Sequence, residues 1–258
     1  MGFQSMAHRI YRCQVQSIKW VGVDPKAMTA ILRFKPQVPF EFEAGQFVSL
    51  QVPDKDNPRE MLWRAYSMSV PVEIAKKHGY ELCIRKMNGG QAAAYLDRLK
   101  PGDWINVKAS YGEFTLRTKP GRGVCFIGTG TGVAPLRSIA LSREFAEMDL
   151  LFGIAILGYR TFEEVPYAGD FERVGLATTY AISDSTAKLD FPFYNGRVTD
   201  VLKRLKTDFP WRETDYYLCG NGFMIRDVIQ MLKTSHGVKD EHIIAEAFAP
   251  AAKTSEAA

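Results

Sequence analysis

The run Gly128-Thr129-Gly130-Thr131-Gly132, followed by Val133-Ala134-Pro135, is the part of this 258-residue sequence whose spacing most directly suggests chemistry. Glycines let a backbone approach a pyrophosphate closely, and a helix starting just after them offers unpaired N–H groups and a partial positive charge. Pro135 suits the first turn of such a helix, where its missing N–H is not needed. The spacing is G-x-G-x-G, not the G-x-G-x-x-G of the common dinucleotide fingerprint. Taken alone it reads equally as a phosphate cradle or a plain tight turn. Metal chemistry finds no such support. Cys13, Cys83, Cys125 and Cys219, and His8, His78, His236 and His242, show neither zinc spacing nor the tight clusters that hold iron–sulfur centres. Redox chemistry here calls for an organic cofactor.

Two stretches of different pattern must position these residues. Up to about residue 116, short strands are expected at 11–23, 29–34, 46–52, 63–70, 80–86 and 104–109, punctuated by Pro36, Gly45, Pro53, Gly79 and Pro101-Gly102. One helix, 91–99, follows Gly89-Gly90. Six antiparallel strands and a helix suggest a closed β-barrel, which leaves no exposed sheet edge. After Lys119-Pro120-Gly121, strand and helix alternate. Strand 124–127 runs through the glycine turn into a helix at 134–147. Strands at 150–157, 177–182, 216–219 and 243–248 alternate with helices at 199–206 and 224–233. In the last helix Ile225, Val228, Ile229 and Leu232 share one face. This alternation predicts an α/β parallel sheet covered on both faces. The fold class is therefore two-domain: an antiparallel six-stranded β-barrel over 9–118 and an α/β nucleotide-binding domain over 119–250.

The bulk properties narrow the function classes. Hydrophobic residues make up 46% and charged residues 24%, a globular profile. A net charge of +4 is compatible with steering an acidic protein partner but too small to argue for nucleic acid. The longest apolar run, 150–157, is interrupted by Gly153 and is far short of the roughly 20 residues of a membrane span. Residues 1–8 contain no apolar signal core, so a cytoplasmic protein is expected; the small and polar residues 249–258 are expected to be disordered.

Arg64-Ala65-Tyr66-Ser67 fits R-x-Y-S and lies upstream of the glycine turn. Gly89-Gly90, Pro101-Gly102-Asp103, Gly112-Glu113-Phe114, Gly158-Tyr159-Arg160, Gly196-Arg197-Val198 and Cys219-Gly220-Asn221 follow in order. This series resembles the ferredoxin–NADP reductase superfamily over nearly the whole chain. The resemblance implies bound FAD and NADH or NADPH as cosubstrate. Arg64 would pair with the FAD diphosphate, Tyr66 would lie against the isoalloxazine, and Ser67 would sit near flavin N5. Ala65, Ile84 and Lys86 would complete the FAD contacts, with Gly90, Gln91 and Ala92 offering backbone N–H groups to its phosphates. Ala93 stands where the family often has Ser or Thr, which removes one hydrogen bond of roughly 1 kcal/mol. Taken singly, Arg64 also reads as a surface charge and Tyr66 as barrel core.

On the nucleotide side the resemblance assigns Gly128, Thr129, Gly130, Thr131, Gly132, Pro135, Arg160, Gly220 and Asn221 to NAD(P) binding. Cys219 would stand beside the nicotinamide and steer it by shape, the alternative being an inert buried thiol. Glu246-Ala247-Phe248 resembles the family's closing Glu-x-aromatic, with Glu246 handling protons. Phe248 has three readings: a shield over the flavin, a contact to FAD, or core packing. Arg160 suits the 2′-phosphate of NADPH, but Asp184 after Ser183 would repel it and favour NADH unless Lys188 and Arg197 compensate. The implied reaction is hydride transfer from NAD(P)H to FAD, then single electrons to a small redox protein: a ferredoxin, a flavodoxin or an oxygenase component. A free-flavin reductase and a non-catalytic subunit of a larger complex are the alternatives. Gly89-Gly90 argues against the first; the intact motifs, and the lack of a cysteine cluster in this sequence, argue against the second.

Overall fold

The computed structural model describes residues 9–25, 28–86, 90, 92–185, 189–206 and 208–248. Expectations resting on 1–8, Gly89, Gln91, Lys188 and 249–258 lie outside these residues.

The first sheet is six-stranded and antiparallel. Its strands are β1 (Ile10–Val21), β2 (Thr29–Pro36), β3 (Phe47–Pro53), β4 (Met61–Ser67), β5 (Tyr80–Arg85) and β6 (Trp104–Tyr111), in the order β4-β3-β6-β1-β2-β5. Period-two burial forms its core: Val48, Leu50 and Val52 of β3 are buried while the residues between them are half-exposed. They meet Val15, Leu32, Phe34, Leu82 and Val107 from the other strands. A single bridge between Met68, just past β4, and Leu82 of β5 brings the two ends of the sheet together. Over Met61–Ser67 no strand pairs with the outer edge of β4 among the described residues, so backbone donors and acceptors face an open seam.

Two helices serve this half. The helix expected over 91–99 is a single turn, α2 (Ala93–Leu96), with Leu96 and Leu99 buried against the barrel core. The other helix (Val72–His78, α1) was not anticipated, since seven residues between two strands give no periodic signal.

The second sheet is wholly parallel. It contains β7 (Gly123–Thr129), β8 (Phe152–Tyr159), β9 (Ala177–Ile182), β10 (Phe193–Asn195), β11 (Thr214–Asn221) and β12 (Ile243–Phe248), in the order β10-β9-β8-β7-β11-β12. Burial along β7 and β11 is almost continuous, as expected of parallel strands covered on both faces. One face packs Phe126, Leu136, Ile139, Phe171 and Tyr217; the other packs Ile127, Ile156, Leu202, Val228 and Leu232.

The helix expected at 134–147 is two: α3 (Val133–Ala140) and α4 (Arg143–Ala146), separated where Ser142 turns its hydroxyl to accept from the Phe145 N–H. Two further elements were not anticipated, the single turn α5 (Asp170–Arg173) and the short strand β10. Then come α6 (Val198–Leu202) and α7 (Gly222–His236), the latter burying Ile225, Val228 and Leu232. Strand order reverses between β7 and β11, and in such sheets the crevice at the carboxyl ends of the strands on either side of the reversal is where ligands bind.

Candidate functional site

That crevice is built from glycines with different duties. An added Cβ on Gly132 would lie 2.2 Å from the Cys219 carbonyl oxygen, and one on Gly220 would lie 2.5 Å from Thr129 Oγ1. The two strand ends therefore touch backbone to backbone. Gly130 is the exception: its φ is +55°, and an added Cβ would meet nothing within 4 Å. It faces outward at the start of α3, which makes the turn a fit for a pyrophosphate rather than a packing device alone. Gly128 and Pro135 serve packing, the first with Leu136 2.7 Å from its would-be Cβ and the second buried on α3. Half-buried Thr131 lies between Gly130 and Gly132 in the turn. Asn221 N–H donates to Thr129 Oγ1 (3.0 Å), while Asn221 Oδ1 accepts from Phe223 N–H (2.9 Å) and caps α7. The Asn221 backbone thus ties β11 to the end of β7, while its side chain caps α7.

Ser67, Cys219 and Glu246, three residues far apart in sequence, converge at this point. Cys219 and Glu246 are register partners on β11 and β12. Ser67, the last residue of β4, donates a long hydrogen bond (3.5 Å) from Oγ to Glu246 Oε1 across the boundary between the two sheets. Burial, and next the Glu246 charge, push the Cys219 thiol well above its ordinary range, so it stays protonated and is no nucleophile. Glu246 is itself raised by burial, partly offset by the bond from Ser67. Phe47 stacks on Tyr111 nearby (5.6 Å between ring centres), and Gly112 packs against Phe47 while facing Glu246. Phe47 and Tyr111 carry no motif that would have singled them out.

The seam along β4 carries the other expected residues. Arg64 and Tyr66 lie opposite Leu50 and Val48, on one face of the strand; Ala65 and Ser67 occupy the other. The half-buried Arg64 guanidinium donates to its neighbour's carbonyl, Trp63 O (3.0 Å), and no carboxylate pairs with it among the described residues. Arg85 and Lys86, by contrast, are neutralised by Glu164 (3.0 Å) and Asp97 (2.8 Å). A cation without a counter-charge on an open strand edge fits an anionic diphosphate. Half-buried Tyr66 packs against the barrel core, and burial pushes its phenol up to about 12, opposed by Arg64. Ile84 is 1% exposed in the barrel core and has only its backbone to offer a ligand. Lys86 is engaged with Asp97. Gly90 and Ala92 precede α2, whose one turn gives little helix dipole to support a phosphate.

Farther along the sheet, Arg160 after β8 pairs with Asp184 after β9 (3.0 Å), both well exposed. Phe248 is half-buried against the nucleotide-domain core and in register with Asn221, the arrangement of a packing residue.

Comparison with known proteins agrees with this architecture. The oxidoreductase FAD-binding domain family matches residues 13–116 and the oxidoreductase NAD-binding domain family matches 126–230, together taking in most of the chain. One component of the Na(+)-translocating NADH-quinone reductase of Actinobacillus pleuropneumoniae is 33% identical over 169 residues, 62% of this chain and 40% of that protein. The reductase component of propane 2-monooxygenase from Mycolicibacterium smegmatis is 29% identical over 89% of this chain and 65% of its own length. The chain thus spans less than two thirds of either relative. The crystal structure of a ferredoxin NADP+ reductase from Neisseria gonorrhoeae with bound FAD and NADP has the same fold (TM-score 0.74, 21% identity, 92% of this chain and 98% of that one). No helix among the described residues is long and apolar enough to cross a membrane. An FAD-binding domain followed by an NAD-binding domain, in this order and on this fold, places the chain in the ferredoxin–NADP reductase superfamily.

Proposed function

We propose that the chain is an FAD-dependent NAD(P)H reductase that passes single electrons to a small redox protein. The observation that carries this reading is the meeting of Ser67 from the barrel with Cys219 and Glu246 from the parallel sheet, at the strand-order reversal. Residues 9–118 would form the FAD domain and 119–250 the nucleotide domain.

FAD, when bound, supplies the chemistry of accepting a hydride and giving up electrons one at a time. The chain's own residues do the rest. Arg64 holds the diphosphate and Tyr66 offers an aromatic surface in the seam. The turn at Gly130 and the first N–H groups of α3 hold the nucleotide's pyrophosphate. Cys219 and Gly220 fill the floor of the crevice, so a ring entering there stops at a fixed depth. Ser67 Oγ and Glu246 form a polar pair that keeps a proton available, and half-buried Glu246 can exchange it with solvent. The Arg160–Asp184 pair, which cancels the cation a 2′-phosphate needs, supports NADH as the donor.

An acidic ferredoxin, flavodoxin or oxygenase component suits the barrel surface. Strands β1, β3, β4 and β6 hold no Asp or Glu, and β1 and β6 carry Arg12, Lys19 and Lys108. Arg12 lies over Trp104 (4.6 Å to the ring centre) and Lys108 over Trp63 (4.1 Å). Four buried, unpaired cysteines support a reducing, cytoplasmic setting.

The test is an absorbance spectrum of the purified protein followed by anaerobic titration with NADH and, separately, NADPH. A flavin spectrum that survives gel filtration and is bleached by NADH is the expected result. Protein that retains no FAD but turns over added flavin would be a free-flavin reductase. Protein that oxidises neither nucleotide with FAD present would overturn the proposal.

A further inference from the structure

A buried link between the two halves runs from α3 to the residues just past β4. Arg137 projects from α3, five residues after Gly132, and its side chain is only 12% exposed. Its Nη1 donates to the Ser69 carbonyl (2.6 Å) and to Glu81 Oε1 (3.2 Å), both in the barrel. Its Nε donates to Asp170 Oδ2 of its own half (2.5 Å). Glu81 is 2% exposed, accepts from Ser69 Oγ (2.9 Å) and is held on its far side by Arg33 (2.5 Å). The Arg137 guanidinium also stacks over the ring of Tyr167 (4.1 Å to its centre), whose hydroxyl donates to Ser69 Oγ (3.2 Å). Tyr167 has φ +59°, the one described non-glycine residue in the left-handed region. A bulky residue held in that region is a sign that its surroundings over-determine it.

The connectivity gives this cluster its meaning. Ser69 is two residues past Ser67, and Met68 between them makes the bridge that draws the barrel ends together. Arg137 stands on the helix that opens at the glycine turn. The contact from Arg137 to Ser69 is thus a short, buried path from the nucleotide turn to the end of β4. We propose that Arg137 is a positioning residue for the hydride step, acting through this clasp to hold the glycine turn at a fixed distance from Ser67. The inference rests on the reductase reading above. It concerns alignment alone, since Arg137 lies behind both sites. Stacked reactants misplaced by about an ångström lose on the order of a hundredfold in rate.

The experiment pairs rapid kinetics with a distance measurement that needs no turnover. Nitroxide labels at Asp56→Cys in the barrel and Asp227→Cys on α7 report the separation of the halves by electron double resonance, since the native thiols are buried. In Arg137→Met the distance distribution is expected to broaden. Flavin reduction at saturating NADH should fall by about ten- to a hundredfold, with the nucleotide Kd and FAD retention within about threefold of the parent. Arg137→Lys should recover part of the rate, and Tyr167→Phe, which removes one hydroxyl, should lose about two- to fivefold. An unbroadened distribution in Arg137→Met overturns the clasp, whatever the rate. So does a loss confined to Kd or to FAD retention. If Arg137→Met does not fold, parent-like reduction rates and distributions in both Arg137→Lys and Tyr167→Phe overturn it. Should the parent itself be reduced by neither nucleotide, the reductase reading fails, while the distance distribution still decides the clasp.

Discussion

Burial leaves Cys219, the proposed crevice floor, without reactivity of its own, and that can be measured on the bare protein. All four thiols are buried, and burial raises each of them, Cys13 and Cys83 to about 12. A disulfide reagent at pH 8 should therefore find no reactive thiol until the fold opens; rapid reaction of even one would contradict the buried crevice floor. Glu246 makes the opposite kind of prediction, since its ionisation is within reach. Its folded-state pKa is raised above the ordinary carboxylate value, so the folded protein binds the extra proton. Stability is then greatest below the unfolded pKa and declines as pH rises through the folded one. Glu246→Gln should flatten that decline in denaturant melts from pH 4 upward, and should remove the same ionisation from the pH profile of flavin reduction. At the coenzyme end, Asp184→Asn frees Arg160. The ratio of NADPH to NADH efficiency should then rise by about tenfold, the scale of one charge-assisted contact. A ratio that does not move would place the discriminating cation elsewhere.

The elements sort the glycines by duty. A methyl at Gly132 meets the fixed backbone of β11, so Gly132→Ala should destabilise the protein by about 1–3 kcal/mol, read as a drop in Tm. Gly130→Ala meets only open space and left-handed strain of about 1 kcal/mol, so it should fold nearly normally and instead weaken nucleotide binding. Equal effects on stability would mean that Gly130 has no ligand to face. This division was not legible in the sequence, where the three glycines look alike; it arises from how closely β7 and β11 approach. All the strands but the three-residue β10 were legible, because period-two alternation in the barrel and continuous apolar runs in the parallel sheet are local patterns. The motif series also singled out Arg64, Tyr66, Ser67, the glycine turn and Cys219-Gly220, whose binding roles are proposed above. Short helices were not legible: α1 and α5 are too brief to show a period, and the break between α3 and α4 depends on the conformation of Ser142. The clasp was invisible for a further reason. Arg33, Glu81, Arg137 and Asp170 are ordinary charges in sequence: Arg33 meets Glu81 across β2 and β5, Arg137 meets Asp170 within the other half, and only the docking of the halves joins the two pairs.

Across the whole molecule, charge is distributed by function. Where the halves are held, Glu81, Glu164 and Asp170 are each bound to arginine, and Asp and Glu are missing from five of the six barrel strands. If that face meets an acidic acceptor, the association rate should fall steeply with salt, by about tenfold between low and high ionic strength. Reduction of the flavin by NADH, which involves no protein encounter, should change little over the same range. A salt-independent acceptor reaction would send the partner to another surface.

Ser67 and Glu246 are separated by 179 positions, and Glu246 sits on β12, an edge strand whose one strand partner among the described residues is β11. During synthesis the barrel and the glycine turn can therefore form well before the acid reaches its place. Until β12 is laid down, the growing chain has both proposed binding surfaces and lacks the Ser67–Glu246 pair between them. A ribosome-bound fragment ending before β12 would carry the barrel and the glycine turn with the proposed proton pair still unassembled.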